Sequence, residues 1–235
     1  MLLQRPSRPP LHSRSVTPVV DRYELGPTRT NCYVVRADRD APEAVIVDPG
    51  ASASSLRLEL ARLGTRCAAI LVTHTHYDHL GAVADLAEGT GAPVHVSEIE
   101  ARVLENPEAF YPGMGIRPWT PEVRLDGDET LSPAGIEFET LRVPGHSPGH
   151  LAFHSDGALL SGDVLFAGSV GRADIPFADW DALVASIVTL MERFPPETVV
   201  HSGHGPPTTL GDELARNPFL AEVREALAAR TASSE

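Results

Sequence analysis

Short runs of apolar and β-branched residues alternate along the chain with stretches whose apolar positions recur every three or four residues. Asn31 to Val35 and Ala44 to Asp48 carry the first two strand patterns, joined by a charged turn around Asp38–Pro42. Ser52 to Leu63 predicts a helix, with serines available for the N-cap, Leu56, Leu60 and Leu63 on one face, and Gly64 as a stop. Ala68 to Val72 is almost wholly apolar, the pattern of a strand buried on both faces. Helical spacing resumes at Leu80, Val83, Ala84 and Ala87. The Pro- and Gly-rich stretch from Asn106 to Pro121, with Tyr111, Met114 and Trp119, reads either as a long loop near a substrate or as a surface loop pinned by aromatic residues. Strand patterns return at Ile136–Val143, Leu151–His154 and Ala158–Leu160. From Asp179 to Phe194, Trp180, Leu183, Val184, Ile187, Leu190 and Met191 form one apolar stripe that Pro195–Pro196 ends. A strand over Thr198–His201 and a helix from about Pro218 to Ala229 complete the pattern. Strands with interleaved helices, and polar motifs at the strand ends, predict a layered α/β sandwich.

Composition narrows the class. The chain has 235 residues and is read as one domain over residues 16–235, preceded by an arginine-bearing arm, 1–15, that lacks the apolar stretch of a signal peptide. Hydrophobic residues at 42% allow a large core. With 32 acidic against 19 basic side chains the net charge is −13, which repels phosphate backbones and anionic lipid and argues against a nucleic-acid or membrane binder. Two cysteines, Cys32 and Cys67, make no disulfide scaffold, so a reducing cytoplasm is expected. No apolar run approaches the length of a membrane span.

Chemistry concentrates in a few short motifs. Thr73-His-Thr-His-Tyr-Asp-His-Leu-Gly follows a buried strand pattern and precedes a helical one. His74 and His76 are two apart, so extended backbone points their side chains the same way. Asp78 and His79 sit where the chain turns into the helix. Four ligand-type residues in six positions suit two adjacent ions better than one. Three more candidates each stand on a glycine-bearing turn after a strand pattern: His146 in PGHSPGH, Asp163 in SGDVLF and His204 in SGHGPP. Five imidazoles and two carboxylates suit zinc, iron, manganese or a mixture. Burying this much polarity without a metal would leave unpaired groups.

The order HTHYDH, PGH, GD, GHG, with the leading NCYVV and VDPG strands, resembles the metallo-β-lactamase superfamily over about residues 17–220. The resemblance implies a four-layer αββα sandwich and two divalent metal ions, Zn2+ foremost with Fe or Mn as alternatives. It assigns His74, His76 and His146 to one ion, Asp78, His79 and His204 to the other, and Asp163 as the bridge, with Asp78 and Asp163 as catalytic carboxylates. True β-lactamases of the superfamily usually carry Cys where Asp163 stands, and flavo-di-iron oxidoreductases carry Glu where His76 stands. The stretches GDVLFAGSVGRADIP and GHGPPTTLGDELARNPFL resemble single-domain glyoxalase II-like hydrolases. That branch implies hydrolysis of a small thioester, S-2-hydroxyacylglutathione in type. Ions about 3.5–4 Å apart would share a water and lower its pKa, so that metal-bound hydroxide is the nucleophile. Full-length glyoxalase II binds glutathione through basic residues of a C-terminal helical domain; here only Arg216, Arg224 and Arg230 lie late in the sequence. The alternatives are a persulfide dioxygenase of the same fold with one iron, and a silent scaffold for a metabolite or partner.

Other residues have two readings each. Asp48 and Thr73 either orient a ligand histidine or serve the local turn. His150 reads as a packing or orienting histidine rather than an eighth ligand. Arg172 either meets a substrate carboxylate or pairs with Asp174. Cys32 reads as a buried filler, Tyr77 as packing outward, and His12, His95 and His154 as ordinary.

Overall fold

The strand patterns resolve into two six-stranded sheets in a computed structural model that describes residues 17–232. The arm expected over residues 1–15, with His12, lies outside the described residues. The first sheet runs in chain order through β1 (Val19–Leu25), β2 (Thr30–Arg36), β3 (Glu43–Val47), β4 (Arg66–Leu71), β5 (Val94–Ser97) and β6 (Val123–Leu125). Strands β1 to β3 are antiparallel, whereas β3 to β6 are parallel. Their crossovers carry α1 (Ala53–Leu63), α2 (Tyr77–Leu80), α3 (Val83–Thr90) and α4 (Glu98–Glu105), as parallel pairing requires. The second sheet uses β7 (Thr130–Leu131), β8 (Phe138–Arg142), β9 (Leu151–Ser155) and β10 (Ala158–Gly162). A small hairpin of β11 (Leu165–Phe166) and β12 (Ser169–Val170) and helix α5 (Trp180–Arg193) then intervene. Strands β13 (Val199–Ser202) and β14 (Thr208–Thr209) rejoin the sheet to give the order β14-β13-β10-β9-β8-β7, and α6 (Leu210–Arg216) and α7 (Ala221–Ala232) follow.

The two-residue period of the strands sorts side chains into three cores. Cys32, Val34, Ile46 and Ile70 face Leu56, Leu60, Leu86 and Leu104 of α1, α3 and α4. Tyr33, Val35, Val45 and Leu71, on the opposite face, pack against Phe138, Leu151, Phe153 and Leu160 of the second sheet. The outer face of that sheet, with Ala152, Leu159 and Val200, takes Leu183, Ile187 and Leu190 of α5. Helix–sheet–sheet–helix layering therefore follows from the alternation, and the four-layer αββα expectation holds. Both cysteines are free and buried, and no helix among the described residues is long and apolar enough to cross a membrane.

Local details shift some boundaries. Ser52 stands at the N-cap of α1 but in left-handed backbone at φ 61°, and its hydroxyl makes no capping bond. The Asp179 side chain does cap α5, accepting from the Ala182 amide at 2.9 Å. The run Ile136–Val143 begins its strand at Phe138, because a turn over Pro133–Gly135 holds Ala134 at φ 54°. The helix expected from Pro218 starts as a 3-10 turn over Pro218–Leu220. The stretch 106–121 is a loop with one 3-10 turn, and Tyr111 donates from its hydroxyl to the Thr75 carbonyl at 3.0 Å, which lays the loop against the HTHYDH segment.

Candidate metal centre

Four strand ends meet at one edge of the sandwich. The chain leaves β4 at Leu71 and passes through His74 and His76 into α2, which carries Asp78 and His79. His146 follows β8, Asp163 follows β10 and His204 follows β13. Carboxyl ends of strands are where open α/β sheets place their ligands. Among the described residues three groups have potential ligand atoms within 4.8 Å of one another: His74, His76 and His146; Asp78, His79 and His204; and His74, His79 and Asp163. All seven residues read from the sequence are thus brought together. The first two groups are the sets assigned to the two ions, and the third places Asp163 at their junction.

Distances define that junction. His74 Nε2 lies 3.1 Å from His76 Nδ1. His79 Nε2 is 3.3 Å from Asp163 Oδ1, while Asp163 Oδ2 is 3.5 Å from both His146 Nε2 and His204 Nε2. His204 Nε2 is also 3.3 Å from Asp78 Oδ2. His74 and His79 are fully buried, yet His79 Nε2, His146 Nε2 and Asp163 Oδ1 have no hydrogen-bond partner. Orphaned buried polar atoms are costly, and these converge on one small volume. That arrangement fits a cation pair held by imidazole and carboxylate.

The charge pattern agrees. Burial, reinforced by neighbouring imidazoles, holds His74 well below the ordinary histidine value and takes His76 down to about 4; burial also lowers His146. Lowered values favour the neutral imidazole, the form that offers a lone pair to a metal. Burial opposes charge on His79, but the carboxylates of Asp163 and Asp48 outweigh it and hold His79 well above its ordinary value. The facing carboxylates of Asp163 and Asp78, at 3.5 and 3.3 Å, raise His204 to about 9. Burial works to raise Asp78 and Asp163, yet His204 and His79 take Asp78 down to about 2 and Asp163 well below the usual carboxylate range. The raised values favour a proton on His79 and on His204 when no ion is bound, and metal binding is expected to compete with those protons.

The far sides of the rings are tied down, as metal-site histidines normally are. Asp48, buried and at φ 53°, accepts from His79 Nδ1 at 3.0 Å and from the Thr73 amide and hydroxyl, each at 2.7 Å. Thr73 Oγ1 is in turn 3.1 Å from His74 Nδ1, so Asp48 and Thr73 both orient ligands. His146 Nδ1 donates to the Arg172 carbonyl at 2.9 Å. His150 stacks on His74 at 4.6 Å, and its Nε2 accepts the Asp163 amide at 3.1 Å; it orients the site and is no eighth ligand. Gly203 is required by close approach, since a Cβ there would lie 2.0 Å from Asp163 Oδ1.

The Arg172 guanidinium forms two hydrogen bonds to Asp174, at 2.9 and 3.1 Å. Tyr77 is exposed, His154 stacks on Phe194 and His95 sits in β5. Three contributors escaped sequence reasoning. Thr30 donates to Asp78 Oδ2 at 2.7 Å, a link between positions 48 residues apart that carries no local pattern. The Arg172 carbonyl is invisible to a reading of side chains. Glu100 is the third: Ser97 with Glu100 three residues on looks like a capping box. Ser97 Oγ does accept the Glu100 amide at 3.1 Å, but the Glu100 carboxylate turns to the site's loops instead.

Beside the centre opens a cleft of about 560 Å³, lined by His76, Asp78, His146, Asp163 and His204 on its floor. Ile99, Val103, Phe110, Ile175, Pro176 and Phe177 supply apolar walls, and Arg102 and Arg172 supply cations.

Comparison with known proteins matches this geometry. The sequence profile described as "Metallo-beta-lactamase superfamily" matches residues 25–204. The chain is 33% identical over 205 residues to a Haemophilus influenzae protein named hydroxyacylglutathione hydrolase GloC, covering 81% of this chain and 92% of that one. It resembles the crystal structure of BLEG-1 B3 metallo-beta-lactamase with a TM-score of 0.80 and 38% identity, covering 86% of this chain and all (100%) of that one. It also resembles the crystal structure of TTHA1623 in a di-iron-bound form, with a TM-score of 0.72 and 40% identity, covering 87% of this chain and 100% of that one.

Proposed function

The chain belongs to the metallo-beta-lactamase superfamily, and from that premise we propose that it is a two-metal hydrolase of small thioesters, glyoxalase II-like in type. The observation that carries the two-metal reading is Asp163, whose carboxylate oxygens face histidines of both triads at 3.3–3.5 Å. His74, His76 and His146 would hold one ion and Asp78, His79 and His204 the other. Zinc, iron and manganese all suit the donor set, and the likeness to the di-iron-bound form of TTHA1623 supports iron among them.

When bound, the ions supply Lewis acidity and lower the pKa of a coordinated water. The chain's own residues do the rest. Asp163, ionised over the whole working range, fixes the spacing of the two triads, and Asp48 and Thr73 hold His79 and His74 in place. Thr30 donates to Asp78 and so holds that carboxylate's Oδ2 towards His204. The apolar walls suit an acyl group. Hydrolysis forms a C–O bond and breaks C–S; a thiol with pKa near 8.5 leaves as its anion without a strong general acid, which is why a cleft lacking a lysine or a free histidine over the leaving group suffices.

Arg102 supports an anionic thiol carrier. It lines the cleft and has no ion-pair partner among the described residues, whereas Arg172 is engaged by Asp174. A substrate carboxylate fits it well. The test is a panel of S-acyl glutathiones, including S-lactoylglutathione, a neutral thioester and a β-lactam, assayed on metal-loaded protein. We expect the glutathione thioesters to be turned over fastest, and Arg102→Ala to raise their KM about tenfold with kcat little changed, the loss of one charge-assisted contact of about 1.5 kcal/mol. A β-lactam turned over faster than every thioester would replace the reading, given the likeness to BLEG-1. Persulfide dioxygenase chemistry with a single iron would leave Asp78, His79 and His204 without a role, and oxygen uptake with glutathione persulfide would reveal it.

A further inference from the structure

Glu100 occupies an unusual place for a helical carboxylate. It lies in the first turn of α4, is 5% exposed, and reaches the gap between the two loops that carry the tri-histidine set. Oε2 accepts the Thr75 amide at 3.2 Å and the Thr75 hydroxyl in a shorter bond. Oε1 accepts the Ser147 hydroxyl at 2.7 Å and the Gly149 amide at 3.0 Å. Thr75 stands between His74 and His76, and Ser147 follows His146. Each oxygen therefore serves one loop.

We infer that Glu100 is a positioning residue that clasps the His74/His76 loop to the His146 loop, setting the geometry of the tri-histidine site and not that of the Asp78, His79, His204 set. This inference rests on the two-metal reading for its consequence but not for its structure. His76 and His146 come from loops 70 residues apart in sequence, and their rings meet edge to face with centroids at 4.5 Å. The Leu151 amide donates to the Thr73 carbonyl at 2.8 Å where the two segments leave their strands, but further out, at Thr75, Ser147 and Gly149, the hydrogen bonds that join them pass through one carboxylate. The second set is held differently: Asp48 orients His79, and Ser202 and Asn31 tie the His204 loop, the Ser202 hydroxyl donating to the His204 carbonyl at 2.8 Å and Asn31 Nδ2 to the Gly205 carbonyl at 2.8 Å. Only a carboxylate offers acceptors to both loops at once. Glutamine keeps the shape but turns an NH2 donor against one pair of donors.

The experiment has two arms on the full chain. In metal-free protein, hydrogen exchange at the Thr75 and Gly149 amides reads the clasp directly. Glu100→Gln is expected to speed exchange at one of the two amides at least tenfold, and Glu100→Ala at both, with amides of the β2–β4 core unchanged. Equal exchange in wild type and both variants overturns the clasp. In the second arm, Co2+ titration followed by absorption spectroscopy reads each site. Glu100→Gln is expected to weaken one class of site about 10–100-fold, as loss of a ligand's supporting partner does, and to leave the other class within twofold. Equal weakening of both classes overturns the selectivity. Wild-type protein that binds no Co2+ overturns the two-metal reading itself, while the exchange arm still decides the clasp.

Discussion

Replacing Asp163 with alanine is expected to lower thioester turnover by at least ~10³-fold and to remove at least one metal ion per chain. The size follows from the several kcal/mol that metal activation supplies and from 1.36 kcal/mol per decade of rate. The reason is geometric. Among the described residues Asp163 is the one carboxylate within 3.5 Å of His79, His146 and His204 together, so none of them can take its place between the triads. Asp163→Asn separates charge from shape, since it keeps the volume and one acceptor. We expect it to retain the fold and to lose the same activity. Metal-free protein offers a second readout. His204 is raised to about 9 by Asp163 and Asp78, so its proton stabilises the ion-free fold below the ordinary histidine value near 6.5 and that contribution is lost as pH rises through about 9. In Asp163→Asn the titration of His204, followed by NMR, should move down. A fully metal-loaded, active alanine variant would remove the bridge from the mechanism.

The second large effect concerns Asp48. Asp48→Ala is expected to lower both stability and metal affinity, because it strands three buried donors: the Thr73 amide, the Thr73 hydroxyl and His79 Nδ1. At about 1–3 kcal/mol per stranded buried group, the loss is roughly 3 kcal/mol at the low end. For a chain of this size that is a fall in Tm of roughly 6–12 °C, at about 2–4 °C per kcal/mol. Alanine is also strained at φ 53°, where aspartate and asparagine are tolerated. Asp48→Asn keeps the backbone and part of the hydrogen bonding, so its Tm should fall by less than half as much. Metal affinity at the Asp78, His79, His204 set should still drop about 10–100-fold, because asparagine cannot support His79 as a carboxylate does. Calorimetry with metal titration on both variants measures this. An unchanged Tm in the alanine variant would mean that these donors find other partners.

The sequence carried some parts of this molecule and concealed others for identifiable reasons. The apolar run at Ala68–Val72 and the stripe of α5 are long, regular patterns, and both elements stand where the periodicity puts them. The ligand cluster was legible because four of its residues fall within six positions and the other three each follow a strand on a glycine turn. What stayed hidden acts across the fold. Glu100 wears the sequence signature of a helix cap, and only the approach of two distant loops reveals its work. Thr30 and the Arg172 carbonyl reach the site through tertiary contacts that no local spacing encodes. The Ser52 cap failed for a local reason, since the turn leading into α1 takes left-handed backbone there and swings the hydroxyl away. Arg172 could serve a substrate or Asp174 by charge alone; in the structure it pairs with Asp174 and also lines the cleft.

The most direct test is a crystal structure of protein loaded with a single metal type, with anomalous scattering at that metal's edge and elemental analysis of the same sample. We expect two ions per chain, one among His74, His76 and His146 and the other among Asp78, His79 and His204, with Asp163 touching both. Fewer than one ion per chain, or an Asp163 side chain turned away from the HTHYDH segment in the loaded protein, would contradict it.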